Sequence, residues 1–276
     1  MISQPRATQR YEVLQADKDK PLVSQIKRLS QKHRRYGYRM ITALLRADGW
    51  AVNRKRVYRI WRQEGLKVPQ KQIKRTRLGC SDNSCVRQKA QHINHVWSYD
   101  FLMDQTEDGK PLKLLPLLDE FTRECLSIDV QRSITARDVI STLEYLFAVR
   151  GAPQYLRSDN GPEFIADTIK SWLARSGVGT LYIEKGSPWE NAYSESFNSR
   201  FRNEFLNGEL FTTVKEAKVL VESHRLDYNH HRPHSSLGYM TPAAFAVSCL
   251  ASASAGPSPS PNRTQSVDNS LIQVGT

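Results

Sequence analysis

The sequence predicts an α/β chain, a mixed sheet flanked by helices with a small all-α helix-turn-helix domain in front of it, and three observations carry that expectation. Residues 1–90 hold 23 Lys/Arg against 6 Asp/Glu, whereas residues 91–276 hold 17 against 22, so a basic module precedes a mildly acidic one. Before Val96 the apolar residues recur at helical spacing, and from Val96 they alternate or run in blocks of strand length. Three such blocks come in succession, helix and strand then alternate, and helices close the chain. That order builds one sheet covered by helices.

The elements follow from local chemistry. Leu22, Val23, Ile26 and Leu29 mark a first helix over 21–33, Gly37 interrupts, and Tyr38 to Leu45 resumes the period. Asp48 and Gly49 turn the chain, and Asn53 is the expected N-cap of a third helix that buries Val57, Ile60 and Trp61. Arg54, Lys55, Arg56, Arg59 and Arg62 point away from that face, so residues 53–64 are the candidate recognition helix for DNA. The bland alternative is a small bundle with a solvated basic face. Lys67 to Arg77 is a basic, apolar-poor linker that can track phosphates.

Trp97, Tyr99 and Phe101 alternate with Ser98, Asp100 and Leu102, which places Asp100 inside a strand over 96–103. Strands are expected at 113–119, 125–130, 155–158 and 180–183. Thr135 with Asp138, and Thr213 with Glu216, have the spacing of helix-opening capping boxes. Pro162 begins a helix to about Ser176, and Pro188 a helix through about Asn207. Thr241 and Pro242 start a short last one. Beyond Ala251 the composition turns to Ser, Ala, Pro and Asn without periodicity, the signature of a disordered tail.

Candidate chemistry lies in Asp100, Asp159 and Glu195. A buried carboxylate without a cation or donors costs several kcal/mol, so Asp100 in an otherwise apolar strand needs a partner. Asp159 by itself fits a turn in Ser-Asp-Asn-Gly, and Glu195 by itself fits an exposed helix position. Together they are the donor set of a site for two hard ions, because Mg²⁺ takes one or two carboxylates and completes its shell with water and phosphate oxygens. Asn191, Glu195, Asn198 and Arg202 share one helical stripe, so Asn191, Asn198 and Arg202 are candidate DNA contacts beside the reacting phosphate. Asp104, Asp119, Glu120 and Glu163 are further acidic residues near this set, each a ligand or a plain salt-bridge partner. Tyr228, His230, His231 and His234 suit packing or DNA contact rather than catalysis, for no nucleophile motif adjoins them.

Some classes are disfavoured. Cys80, Cys85, Cys125 and Cys249 form no regular disulfide framework, and no apolar segment of signal-peptide character follows Met1. Cys80 and Cys85 with His92 and His95 lack the spacing of a standard zinc finger. The most apolar run, 112–118, is interrupted by Lys113 and Pro116 and is too short to span a bilayer. These features predict a soluble protein of a reducing compartment, with no membrane partner.

The ordered segments Tyr36-Gly37-Tyr38-Arg39, Asn53-Arg54-Lys55-Arg56-Val57, Trp97 with Asp100, Ser158-Asp159-Asn160-Gly161-Pro162-Glu163-Phe164, Asn191-Ala192, Glu195-Ser196-Phe197, Arg202 and Arg232-Pro233-His234-Ser235-Ser236-Leu237-Gly238 before Thr241-Pro242 resemble a known family. It is that of bacterial insertion-sequence transposases of the IS-three group, relatives of retroviral integrases. The resemblance runs from about Pro21 to Ala246. It implies a ribonuclease-H-like catalytic core in which Asp100, Asp159 and Glu195 hold two Mg²⁺ ions, with Mn²⁺ as a substitute. It further implies cleavage and strand transfer at the element's terminal inverted repeats and into target DNA, at least a dimer on DNA, and cytoplasmic action at the bacterial nucleoid. An upstream-frame DNA-binding protein, or a frameshift fusion with it, is the implied protein partner. The alternative is a regulator or assembly subunit that binds DNA without chemistry. The division so expected is a leader (1–18), a helix-turn-helix domain (19–66), a basic linker (67–91), a catalytic core (92–210), its helical extension (211–250) and the tail (251–276).

Overall fold

The computed structural model describes residues 15–68, 89–158, 167–182 and 191–254. The basic stretch 69–88 with Cys80 and Cys85, the candidate ligand Asp159 with Glu163, and the tail from 255 lie outside the described residues.

Three helices form the front unit: α1 (Gln15–Lys32), α2 (Tyr38–Ala47) and α3 (Arg54–Gln63). Leu22, Ile26, Leu29, Ile41, Leu45, Val57, Ile60 and Trp61 close one core among them. Asn53 caps α3 as its chemistry predicts, its side chain accepting from the Lys55 amide at 2.9 Å. Because the cap satisfies an amide that the helix leaves without a partner, Asn53→Ala is expected to cost about 1 kcal/mol, read as a lower urea midpoint. An unchanged midpoint would show that the cap contributes nothing. α1 begins before the expected start and carries Pro21 inside it.

The second unit is a sheet of β1 (Val96–Tyr99), β2 (Leu102–Gln105), β3 (Pro111–Asp119), β4 (Cys125–Gln131), β5 (Tyr155–Ser158) and β6 (Gly179–Tyr182). β3 pairs antiparallel with β4 on one side and with β1 and β2 on the other, while β1, β5 and β6 run parallel. The helices are α4 (Ala136–Arg150), α5 (Asp167–Arg175), α6 (Ala192–Glu204), α7 (Val214–His230) and α8 (Pro242–Ser254). Strand periodicity divides the core into two layers. Trp97, Tyr99, Leu115, Leu117 and Leu156 meet Val139, Leu143, Ile169 and Leu173 of α4 and α5. Leu102, Leu112, Leu114, Leu118 and Val130 meet Phe197, Phe201, Val221 and Tyr228 of α6 and α7.

The expected strand over 96–103 is two strands, and Asp100 with Phe101 lies between them. The pairing explains the break. Tyr99 faces Leu117 and Leu102 faces Leu114, so the same register sets Asp100 opposite Pro116. Proline has no backbone N–H to give a ladder, and the ladder opens there.

Capping is otherwise as expected at Thr135, whose side chain accepts from the Asp138 amide while Asp138 accepts from the Thr135 amide at 2.7 Å. At α7 the box is displaced: Thr213 accepts from the Glu216 amide, but Glu216 reaches back to the Thr212 amide at 2.7 Å. α8 continues to Ser254, past the expected onset of the tail, because Ala251 sustains a helix and Ser252 bonds back to the Ser248 carbonyl at 2.9 Å. Among the described residues no helix is long and apolar enough to cross a membrane.

Candidate active site

Asp100 belongs to the even-numbered face of β1 and β2, the face that α6 covers. Its carboxylate is half-buried, and the Asn198 amide of α6 donates to Oδ2 at 2.8 Å. Glu195 stands almost one helical turn before Asn198 on the same stripe. It is exposed and has no hydrogen bond or ion pair among the described residues. Two of the three expected carboxylates thus flank one junction, where α6 crosses the gap after β1. The residue preceding Asp159, Ser158, is buried and ends β5, the parallel neighbour of β1.

Four buried polar atoms at or beside this junction, Ser98 Oγ, Asn191 Oδ1, Ser194 Oγ and Asn198 Oδ1, have no hydrogen-bond partner among the described residues. Such atoms in a native core call for an ordered water or ion. With carboxylate oxygens as donors, the residues fit a hard, hydrated divalent cation, which needs only one or two protein carboxylates. Among the described residues no group of three His, Cys, Asp or Glu side chains gathers as a metal cluster.

The other acidic residues have structural partners. Asp119 is fully buried and accepts the amides of Asn94, Phe121 and Thr122; burial pushes its carboxyl up against the pull of those bonds. Glu120 pairs with Arg157 at 2.9 Å, both side chains almost wholly inaccessible. Asp104 accepts the amide of Gln105.

The candidate DNA contacts divide. Arg54, Lys55 and Arg62 are exposed on α3, and exposed Tyr58 shares their face. Tyr58 was not singled out by its sequence position, although an aromatic among cations at helical spacing is a usable signal. Arg56 and Arg59 turn inward instead and share the buried carboxylate of Asp19 on α1, Arg56 Nε at 2.8 Å. Their helical positions lie between the core stripe and the outer face, so they lock α3 to α1. Asn191 and Asn198 are buried where DNA contact was expected, since the stripe of α6 that carries them rolls partly onto the sheet. Arg202 anchors α6 by donating to the Met103 carbonyl at 2.6 Å.

The Arg232–Gly238 segment brackets the other end of α6. Arg232 forms a two-pronged ion pair with Glu204, at 2.6 and 2.5 Å, and lies near the rings of Tyr228 and of Tyr36 from the front unit. His234 is buried with its ring edge-on to Tyr228. Burial first, then the charges of Arg232, Arg200 and Arg123, hold its pKa down to about 3. The folded chain therefore keeps His234 neutral, while the unfolded chain protonates it below its ordinary value of 6.5. Stability is expected to fall as pH drops from 6.5 toward 3, by up to about 1.4 kcal/mol per pH unit from this group. Urea unfolding of His234→Gln should accordingly show a shallower pH dependence than the wild type; parallel curves would refute it.

Residues 90–188 and 176–242 match integrase core domains, and residues 16–74 match an HTH-like domain. The 31.7 kDa protein of insertion element IS407 from Burkholderia multivorans is 36% identical over 255 residues, covering 92% of this chain and 91% of that protein. The 39.2 kDa protein of IS476 from Xanthomonas euvesicatoria is 38% identical over 229 residues, 82% of this chain, which spans 64% of that protein's length. Transposase InsD for insertion element IS2 from Escherichia coli is 30% identical over 227 residues, 76% of this chain and 73% of that protein. With its ribonuclease-H-like integrase core behind an HTH-like domain, the chain belongs to the insertion-element transposases of the IS-three family.

Proposed function

We propose that Asp100, Asp159 and Glu195 are the catalytic carboxylates of a metal-dependent polynucleotidyl transferase that cleaves at insertion-element ends and joins them to target DNA. The observation that carries this reading is the carboxylate of Asp100, held by Asn198 at 2.8 Å on the face where Glu195 stands. Asp159 joins them on the strength of its position directly after Ser158 at the end of β5, the strand beside β1.

Two Mg²⁺ ions, or Mn²⁺ in their place, would supply activation of the attacking oxygen and neutralise charge on the leaving one. The chain's own residues do the positioning. Asn198 fixes the carboxylate of Asp100, and Arg202 ties α6 to β2 so that Glu195 keeps its place. Arg54, Lys55, Tyr58 and Arg62 present a cationic, aromatic helix face to duplex DNA such as the terminal inverted repeats. Joining two ends calls for at least two copies of the chain on DNA. An upstream-frame DNA-binding protein or a fusion with it, and action at the bacterial nucleoid, complete the proposal.

The test is a cleavage and joining assay on end-containing duplex with Mg²⁺. Asp159→Asn and Glu195→Gln should each reduce product to background while DNA binding persists. Undiminished activity in either variant removes that residue from the chemistry.

A further inference from the structure

A pocket lined by both apolar and charged side chains lies on the opposite flank of α6, and no step above uses it. It encloses about 200 Å³ between α6, the turn after β3 and the Arg232–Gly238 segment. Tyr193, Ser196 and Arg200 enter it from α6, Arg123 from the turn and Ser236 from the segment. At 100° per residue these α6 positions lie roughly 140° around the helix from Glu195 and Asn198, on the order of 10 Å across it.

The two arginines of this pocket outnumber its one carboxylate, Asp119. Arg123 and Arg200 are half-buried, and neither has an ion-pair partner among the described residues. Asp119, which also lines it, gives its oxygens to three backbone amides, and Glu204 neutralises Arg232 behind it. Arg123 is held in place nonetheless: its guanidinium lies 3.6 Å from the Tyr193 ring centroid and donates to the Glu120 carbonyl. Burial, then the neighbouring Arg232, lowers the pKa of Arg200, as crowded like charges must. Arg123 also stands at a positive φ of 65°, which only a fixed surrounding sustains in a residue with a side chain.

A space of this size lined by Arg123, Arg200, Ser196 and Ser236 suits a tetrahedral oxyanion, for which planar guanidinium forks are well matched. We propose that this pocket takes one phosphate of the DNA backbone, so that a strand crossing α6 has one phosphate at the carboxylates and another between Arg123 and Arg200. The assignment rests on the proposed DNA-transferring function. Its test reads binding alone and therefore stands or falls separately from the chemistry.

The experiment scans a neutral methylphosphonate linkage along an end-containing duplex, with Ca²⁺ replacing Mg²⁺ to prevent turnover, and measures the affinity of the full chain. One position is expected where the neutral linkage weakens the wild type but leaves Arg200→Gln unaffected. The slope of log affinity against log salt should also fall by about 1 in Arg200→Gln. Should that variant fold poorly, Ser196→Leu fills the pocket with its arginines intact and must lose the same position. A wild-type slope together with an undiminished methylphosphonate penalty in the folded variants overturns the proposal. So does stabilisation of the wild type by inorganic phosphate without any coupling to the duplex, which assigns the pocket to a free anion.

Discussion

Asp100→Asn is expected to lower strand transfer by on the order of 10³-fold or more, since the lost charge is asked to supply several kcal/mol at the reacting phosphate. The substitution keeps size and shape, and Asn198 can still donate to the remaining carbonyl oxygen by the geometry that now serves Oδ2. Folding and affinity for end-containing DNA should therefore hold near wild-type levels, which separates loss of chemistry from loss of structure. Single-turnover joining rates with saturating Mg²⁺ are the measurement. A rate within tenfold of wild type would remove Asp100 from the reaction. Asn198→Ala should lie between these extremes, roughly 10- to 100-fold down, as for residues that orient a ligand rather than provide one.

Glu120→Ala should be the most damaging change to stability, by about 3–5 kcal/mol. It removes the carboxylate that receives Arg157 Nε at 2.9 Å in a place where the two side chains are 0% and 4% exposed. A domain of ordinary stability holds only about 5–15 kcal/mol, so a loss of this size removes roughly a fifth or more of it. Replacing both partners, as in Glu120→Leu with Arg157→Met, removes the buried charge and should recover most of the loss in urea unfolding. If the single variant unfolds within about 1 kcal/mol of wild type, the pair is not holding β5 in place.

Much of the fold was legible because its signals are local. Asn53 and Thr135 cap the helices they were expected to cap, and the alternation expected along 96–103 puts Trp97 and Tyr99 on one face of the sheet and Leu102 on the other. Asp100 stood out as an acidic residue among aromatics, whereas Glu195, ordinary by itself on a polar stripe, drew notice only together with Asp100 and Asp159. What escaped was long-range. Nothing within 53–64 announces that Arg56 and Arg59 meet Asp19, whose sequence distance is 37 residues from the first of them. Nor does the sequence near Asp100 show that it faces Pro116, because that register depends on a turn and a returning strand. The arginine pocket is assembled from three segments far apart in the chain and was invisible for the same reason.

The opening beside Pro116 makes one site answer to two demands. A central sheet gains a rung wherever an amide hydrogen is available, yet a rung here would recruit the main chain of Asp100 into the lattice and fix the direction of its side chain. The imino acid withholds that rung, so the sheet gives up a bond beside the side chain that Asn198 holds. Any replacement that restores the hydrogen would tighten the sheet at Asp100, which, under the proposed chemistry, sets the interests of folding and of reactivity against each other at a residue that carries no carboxylate itself.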